Sequence, residues 1–176
     1  MTVFHHTIEL ESHGGTPSFI NVTSQVREAI ARSHITNGIV AVMSPHTTCS
    51  IYYDEYAHDE LPDGTDFLQA DLNDTLARIA PDQTELPPAG AYRYPGEKHF
   101  QEVETWPDAA VYLPDGDRTQ LLNADAHLKA SVVGSSQVFP LIDGELGFGV
   151  TGYIFFTDWD RSRARKRTCR VTIIGD

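Results

Sequence analysis

Histidine is the side chain whose charge changes nearest neutral pH, and it is a common metal ligand. This chain has eight of them, in different settings. His5 and His6 lie near the terminus, His13 sits in a glycine turn, and His34 falls at a helix end, so ordinary structural roles account for all four. His46 follows Pro45 directly after an apolar run, and Thr47-Thr48 come next. A strand end sets a side chain at the rim of a sheet, where neighbouring hydroxyls can orient an imidazole or hold a substrate oxygen. Spacing alone leaves two readings open, a satisfied turn histidine or a ligand or base. His127 lies in AHLKA on a short helix, and Lys129, two positions on, points elsewhere around it. A single helical histidine is more often structural.

Other groups could join such chemistry. Asp71 shares a helical stripe with Phe67, Leu68 and Leu72. A partly buried carboxylate there needs a partner such as a histidine or a metal; otherwise it is an edge residue of the apolar face. Asp54 and Glu55 end a strand and face opposite sides, so only one can enter a given site. The run from Arg161 to Arg170 holds nearly half of the basic residues. Arginine can grip phosphate bidentately, although a solvated hairpin end is the favoured reading. Cys49 reads as packed rather than nucleophilic. Glycine-rich phosphate loops are absent.

The elements that must position these residues read as follows. Residues 2–10 alternate as a strand, 19–22 form a second, and Ser24 can cap a helix running to about 34. Residues 38–44 and 50–55 are two further strands, interrupted at 45–48. Asp66 and Gln69 have capping-box spacing ahead of a helix that ends before Pro81. Six prolines punctuate residues 81–120, which read as an ordered functional loop or lid holding one short hairpin. Residues 123–133 form a helix with Asn123 as cap and Gly134 as stop. A hairpin turns at Asp143-Gly144, and strands at 153–159 and 169–174 close the chain. The fold class is α+β, a mostly antiparallel sheet or sandwich with two or three helices.

A length of 176 residues makes one domain over 1–176 the natural expectation. The net charge of −12 argues against nucleic acid as a partner. Two distant cysteines exclude a disulfide framework and fit a reducing compartment. No run reaches the ~18–20 apolar residues that span a bilayer, and the N-terminus lacks signal-peptide features. A soluble, cytoplasmic protein is expected.

Taken in order, SPHTTCSIYYDE (44–55), Asp71 ten residues before Pro81, NADAHLKASVVGSS (123–136), FPLIDGEL (139–146) and GYIFFTDWD (152–160) resemble the YjbQ family, also called secondary thiamine-phosphate synthase-like proteins. The pieces span nearly the whole chain, and HTT together with AHLKA is the specific pair. The resemblance implies a β-rich α+β fold, a homotrimer, and a histidine cleft at subunit contacts that holds a divalent metal. By position it carries His46 and His127 into the site, with Glu55, Asp71 and Lys129 as the acid–base and charged groups. Two departures stand out. Tyr94 occupies the place of the histidine in the family's Tyr-x-His element, with His99 five residues later as its replacement. The usual Gly-Thr-Trp-Gln reads Gly149-Val150-Thr151-Gly152.

Two functions follow as expectations. In the first, His46, His99 and His127 bind zinc or nickel, which suit imidazoles, or magnesium with a diphosphate substrate. Glu55, Asp71 and Lys129 then assist a weak thiamine-phosphate synthase-type coupling of small phosphorylated molecules. In the second, a non-catalytic trimer holds a metal or small anion without turnover.

Overall fold

Alternation of inward and outward side chains decides the longest strand, β8 (Arg165–Gly175), which buries Arg167, Cys169, Val171 and Ile173 on one face. In this computed structural model, which describes residues 1–176, β8 is flanked by two antiparallel strands. These are β1 (Thr2–Ser12) and β3 (Gly38–Met43). Strands β5 (Ser136–Ile142) and β6 (Glu145–Leu146) extend the sheet to the order β1-β8-β3-β5-β6. Their turn places Asp143 and Gly144 at φ of 51° and 84°, the left-handed pair a two-residue hairpin demands. A second sheet, β2-β7-β4, is built from Ser18–Asn21, Gly152–Asp158 and Cys49–Glu55.

The two sheets and helix α1 (Thr23–Ser33) enclose the main core, including Val26, Val40, Val42, Ile51, Ile154, Phe156, Val171 and Ile173. This is the expected antiparallel α+β architecture, with more helix than the sequence promised. Ser24 does not cap α1; Asn21 Oδ1 accepts from Thr23 N–H just ahead of it. Helix α2 (Phe67–Ala77) is capped by Asp66, whose side chain accepts from Leu68 N–H. Gln69 gives the cap no return bond, because its amide turns inward to the Tyr52 hydroxyl.

That choice rotates α2. Its buried residues are Gln69 and Leu76, while Phe67, Leu68 and Asp71 face solvent. The stripe assigned to Asp71 is therefore displaced, and Asp71 is not a buried acid.

Residues 81–120 hold no hairpin. Helix α3 (Glu97–Glu104), the short α4 (Ala109–Tyr112) and two 3-10 turns, Pro114–Gly116 and Arg118–Leu121, follow one another there. Phe100, Val103, Leu113 and Leu121 form a separate small core beneath them. The three-residue step from Phe100 to Val103 is a helical period too short to stand out among the prolines. Helix α5 (Ala124–Val133) ends at Gly134, whose φ of 97° suits glycine. Asn123 does not cap it and instead donates its amide to Asp160.

The inward alternation of β8 forces a charge into the protein. Arg167 takes the inward position next before Cys169 and meets Asp158 at the end of β7, itself fully buried. Arg167 Nε donates to Asp158 Oδ2 at 2.7 Å, and Nη2 reaches Asp158 Oδ1 and Thr48 Oγ1, each at 3.2 Å. The pair joins both sheets to the turn after β3.

Asp158→Asn strands a buried guanidinium and should cost about 3–5 kcal/mol. At roughly 2–4 °C per kcal/mol for a chain of this size, a thermal melt should fall by about 6–20 °C. Adding Arg167→Met should recover part of that loss. An unchanged melting point in Asp158→Asn would show that the pair does not hold the sheets.

Candidate functional site

Strand β3 stops pairing with β8 at Met43, opposite Arg170. Continuing the register by two residues would bring Pro45 opposite Thr168, but the chain turns away there. The His46 ring takes over instead: its Nε2 accepts from Thr168 N–H at 2.9 Å. The histidine thus ends the ladder as a side-chain substitute for a carbonyl. A neutral imidazole that accepts at Nε2 carries its proton on Nδ1. Protonating Nε2 would break the bond. Burial, and then the nearby Arg167 charge, also lower the His46 pKa.

Thr47 and Thr48 continue the turn, locked from behind by Trp159 N–H donating to the Thr48 carbonyl at 3.0 Å. His127 faces this turn from α5. Burial lowers its pKa, opposed by Asp160 and by a hydrogen bond to the Thr47 backbone. Both imidazoles are therefore biased to the neutral form at pH 7. The third wall comes from the 97–121 segment. His99, in the first turn of α3, shares a hydrogen bond of 3.0 Å between its Nε2 and the Tyr94 hydroxyl. Tyr94 also stacks edge-on against His127, with ring centroids 5.4 Å apart. So the Tyr94 departure and His99 belong to one unit at the same wall.

His46, His99 and His127 line one cavity of about 320 Å³. Arg165, Arg167 and Asn123 line it too, and these were missed. The run 161–170 is not simply a solvated hairpin end, because strand alternation turns Arg167 inward. Arg165 pairs with buried Asp160 at 2.8 Å. The period-2 pattern Arg165, Arg167, Cys169, Val171 was the signal that could have revealed it.

The three candidate acid–base residues lie elsewhere. Glu55 is exposed at the end of β4, opposite Gly152, and Asp71 is exposed on α2. Lys129 is fully buried and bonded to Asn73 at 3.2 Å and Asp82 at 3.3 Å, with Asp125 at 3.9 Å. It is a structural cation that clamps α5 to α2 and to the chain beyond it, with no reach to the cavity. Cys49 is packed as expected, its thiol pushed up by burial.

No three His, Cys, Asp or Glu side chains stand close enough to hold a metal ion. His46 explains part of this. With Nε2 accepting from Thr168 and Nδ1 protonated, it has no lone pair for a metal. The zinc or nickel set of His46, His99 and His127 does not fit this arrangement. Nor does the cavity wall offer the carboxylate oxygens that magnesium prefers.

With the geometry established, comparison with known proteins places the chain. The model of the family described as UPF0047 protein YjbQ-like matches residues 6–176. A UPF0047 protein of Methanothermobacter thermautotrophicus is 29% identical over 89% of this chain and 82% of its own length. The UPF0047 protein YugU of Bacillus subtilis is 27% identical over 89% of each chain. Among solved structures, a YjbQ/UPF0047 protein from Clostridium acetobutylicum superposes with a TM-score of 0.63 at 28% identity, over 95% of this chain and 99% of that one. A protein of Sulfolobus solfataricus shares the fold at a TM-score of 0.64 and 23% identity, over 99% and 100%. This chain belongs to the YjbQ/UPF0047 family.

Proposed function

We propose that the cavity binds one small phosphorylated molecule and acts on it by acid–base chemistry from its imidazoles. One observation carries this reading. In a chain with 25 acidic residues, the cavity is lined by three histidines and two arginines and by no Asp or Glu. Such a wall attracts an anion and repels a bare cation.

The open valences agree. Arg165 leaves a buried Nε–H without a partner, and Asn123 leaves a buried Oδ1 without one. The Asn123 amide cannot be turned round, because its Nδ2 donates to the Asp160 carboxylate at 2.7 Å. The site thus supplies one cationic donor for an oxyanion and one acceptor for a hydroxyl. His46 Nδ1–H adds a neutral donor, able to polarise a substrate oxygen without giving up its proton. His127, half-buried in the cavity wall and biased to the neutral form by burial, is the general base. The Tyr94 hydroxyl, its pKa raised by burial, stays protonated beside His99.

Thiamine-phosphate synthase-type coupling is the finer form of this reading. There the departing pyrophosphate would sit on Arg165. A cavity of about 320 Å³ is at the small end for ligand sites and suits one of two substrates. The other would enter at a subunit contact. Assembly as a homotrimer is part of the proposal. On the outer face of the five-stranded sheet, Ile39, Met43, Val138 and Ile142 are exposed side by side, with Val3 on β1. An apolar strip of that kind favours a partner copy. No helix is long and apolar enough to cross a membrane.

Inorganic phosphate and pyrophosphate, titrated by calorimetry, should bind saturably. Arg165→Lys, which keeps the charge and loses Nε, should weaken binding by about tenfold or more, while Glu55→Gln leaves it unchanged. Absence of saturable binding by either anion would overturn the anion-site reading. Light scattering should give three times 19.5 kDa; a monomer at micromolar concentration would contradict the trimer.

A further inference from the structure

A second cavity, of about 400 Å³ and sharing no lining residue with the first, opens between the β2-β7-β4 sheet and the start of α2. Its wall reverses the first. Asp63 and Asp66 line it, with no Lys or Arg, and Phe19, Tyr56 and Phe155 supply aromatic surface. Gln69, 1% exposed, is part of the same wall. Its Oε1 accepts from the Tyr52 hydroxyl, which in turn accepts from Thr157 Oγ1 at 3.1 Å. Its Nε2 has no partner. Reversing the amide would not cure this, because one of its two atoms would still be unpaired. A buried N–H group without a partner costs stability, and Gln69 sits in the wall of an open cavity.

We propose that this cavity is a binding site for a small organic ammonium ion that carries an oxygen two or three bonds from the charge. The two carboxylates select the cation. Asp66 spends its two oxygens on the backbone N–H groups of Leu68 and His58, at 2.9 Å and 3.1 Å, so its position is fixed before any ligand arrives. Asp63 is likewise held, accepting from Thr65 N–H at 3.0 Å. Aromatic faces stabilise an alkylated ammonium through their negative quadrupoles. Phe155 is braced by stacking on Tyr52 with centroids 5.7 Å apart, and Phe19 by an edge contact with Trp159 at 5.6 Å. The ligand oxygen accepts from Gln69 Nε2 and completes the buried amide. His13 also lines the cavity at an exposed position, its Nδ1 donating to the Gly14 carbonyl at 2.9 Å. The site does not depend on the reading given to the histidine cavity, and its charge excludes the phosphorylated ligands proposed there.

Choline is the probe, because it joins a quaternary ammonium to a hydroxyl, and 3,3-dimethyl-1-butanol is its uncharged isostere. Chemical-shift titration of the intact protein should show saturable choline binding mapped to Phe19, Gln69 and Phe155, with the isostere about tenfold weaker. Gln69→Leu should reduce choline affinity about fivefold; because it also takes the acceptor from the buried Tyr52 hydroxyl, its melting curve is recorded beside the titration to show that the variant is folded. Asp63→Asn, at an exposed position, should weaken choline and spare the isostere. His46→Gln should change neither. Equal binding of choline and its isostere would overturn the proposal. So would absence of saturation, or choline binding that survives both Gln69→Leu and Asp63→Asn unchanged.

Discussion

Asp158 and Arg167 form a buried ion pair whose two charges come from different sheets, and the rest of the site is organised around that contact. Arg167 is inward because β8 alternates, and Asp158 is inward because it ends a strand buried along nearly all its length. Neither charge could stay there alone. Together they fix Thr48, and Asp158 Oδ1 also accepts from Asp160 N–H at 3.1 Å. Asp160 then holds Arg165 and Asn123. One chain of hydrogen bonds thus runs from the sheet junction to the cavity wall, and Trp159 pins it from below by donating Nε1–H to Ser50 at 2.8 Å. Partnered, such a network is rigid; broken at one member, it leaves several groups unsatisfied at once.

The same network sets the character of the histidine cavity. Asp158 and Asp160 lie behind the arginines rather than in the cavity wall, so they hold the guanidinium groups in place without presenting negative charge to a ligand. The imidazoles in front are half-buried, which disfavours their protonation, and the Arg167 charge adds to this at His46. Neutral histidines beside arginines make a site for moving protons on an anionic ligand. The cation-selecting wall at Asp63 and Asp66 is built from different elements. A strongly acidic chain therefore confines an anion-attracting surface to one small region.

Much of this was legible before any coordinates. Alternation gave away β1, a continuous apolar run gave away β3, the apolar end of β8 was read only from residue 169, and Asp143-Gly144 declared its hairpin through a local φ requirement. His46 and His127 could be paired because their flanking residues matched a family pattern over most of the chain. The failures have physical causes. Asp71 was placed by helical periodicity, but α2 turns Gln69 to Tyr52 and Leu76 to Trp159 and α5, tertiary contacts that no local pattern encodes. Lys129 looked like a site residue because it neighbours His127 in sequence; two residues along a helix is most of the way to the opposite face. Residues 81–120 looked like a lid because four core-forming apolar residues spread over more than twenty positions, among six prolines, have no visible period. The arginines at 165 and 167 were hidden by composition, since a basic run ordinarily faces water, and only the β1–β8 register shows which of them cannot.

The central claim is that His46 and His127 are held neutral, His46 as the Nδ1–H tautomer, in front of guanidinium groups fixed by Asp158 and Asp160. Nitrogen-detected NMR of the imidazoles, followed from pH 8 to pH 4.5, tests it directly. Both residues should titrate below the ordinary histidine value of about 6.5, and His46 should show a protonated Nδ1 and an unprotonated, hydrogen-bonded Nε2 throughout the neutral range. Because their folded pKa values are depressed, the stability they contribute is fully present above that value. It is lost as pH falls through the lowered ones. A His46 that titrates at or above about 6.5, or carries its neutral proton on Nε2, would contradict the account.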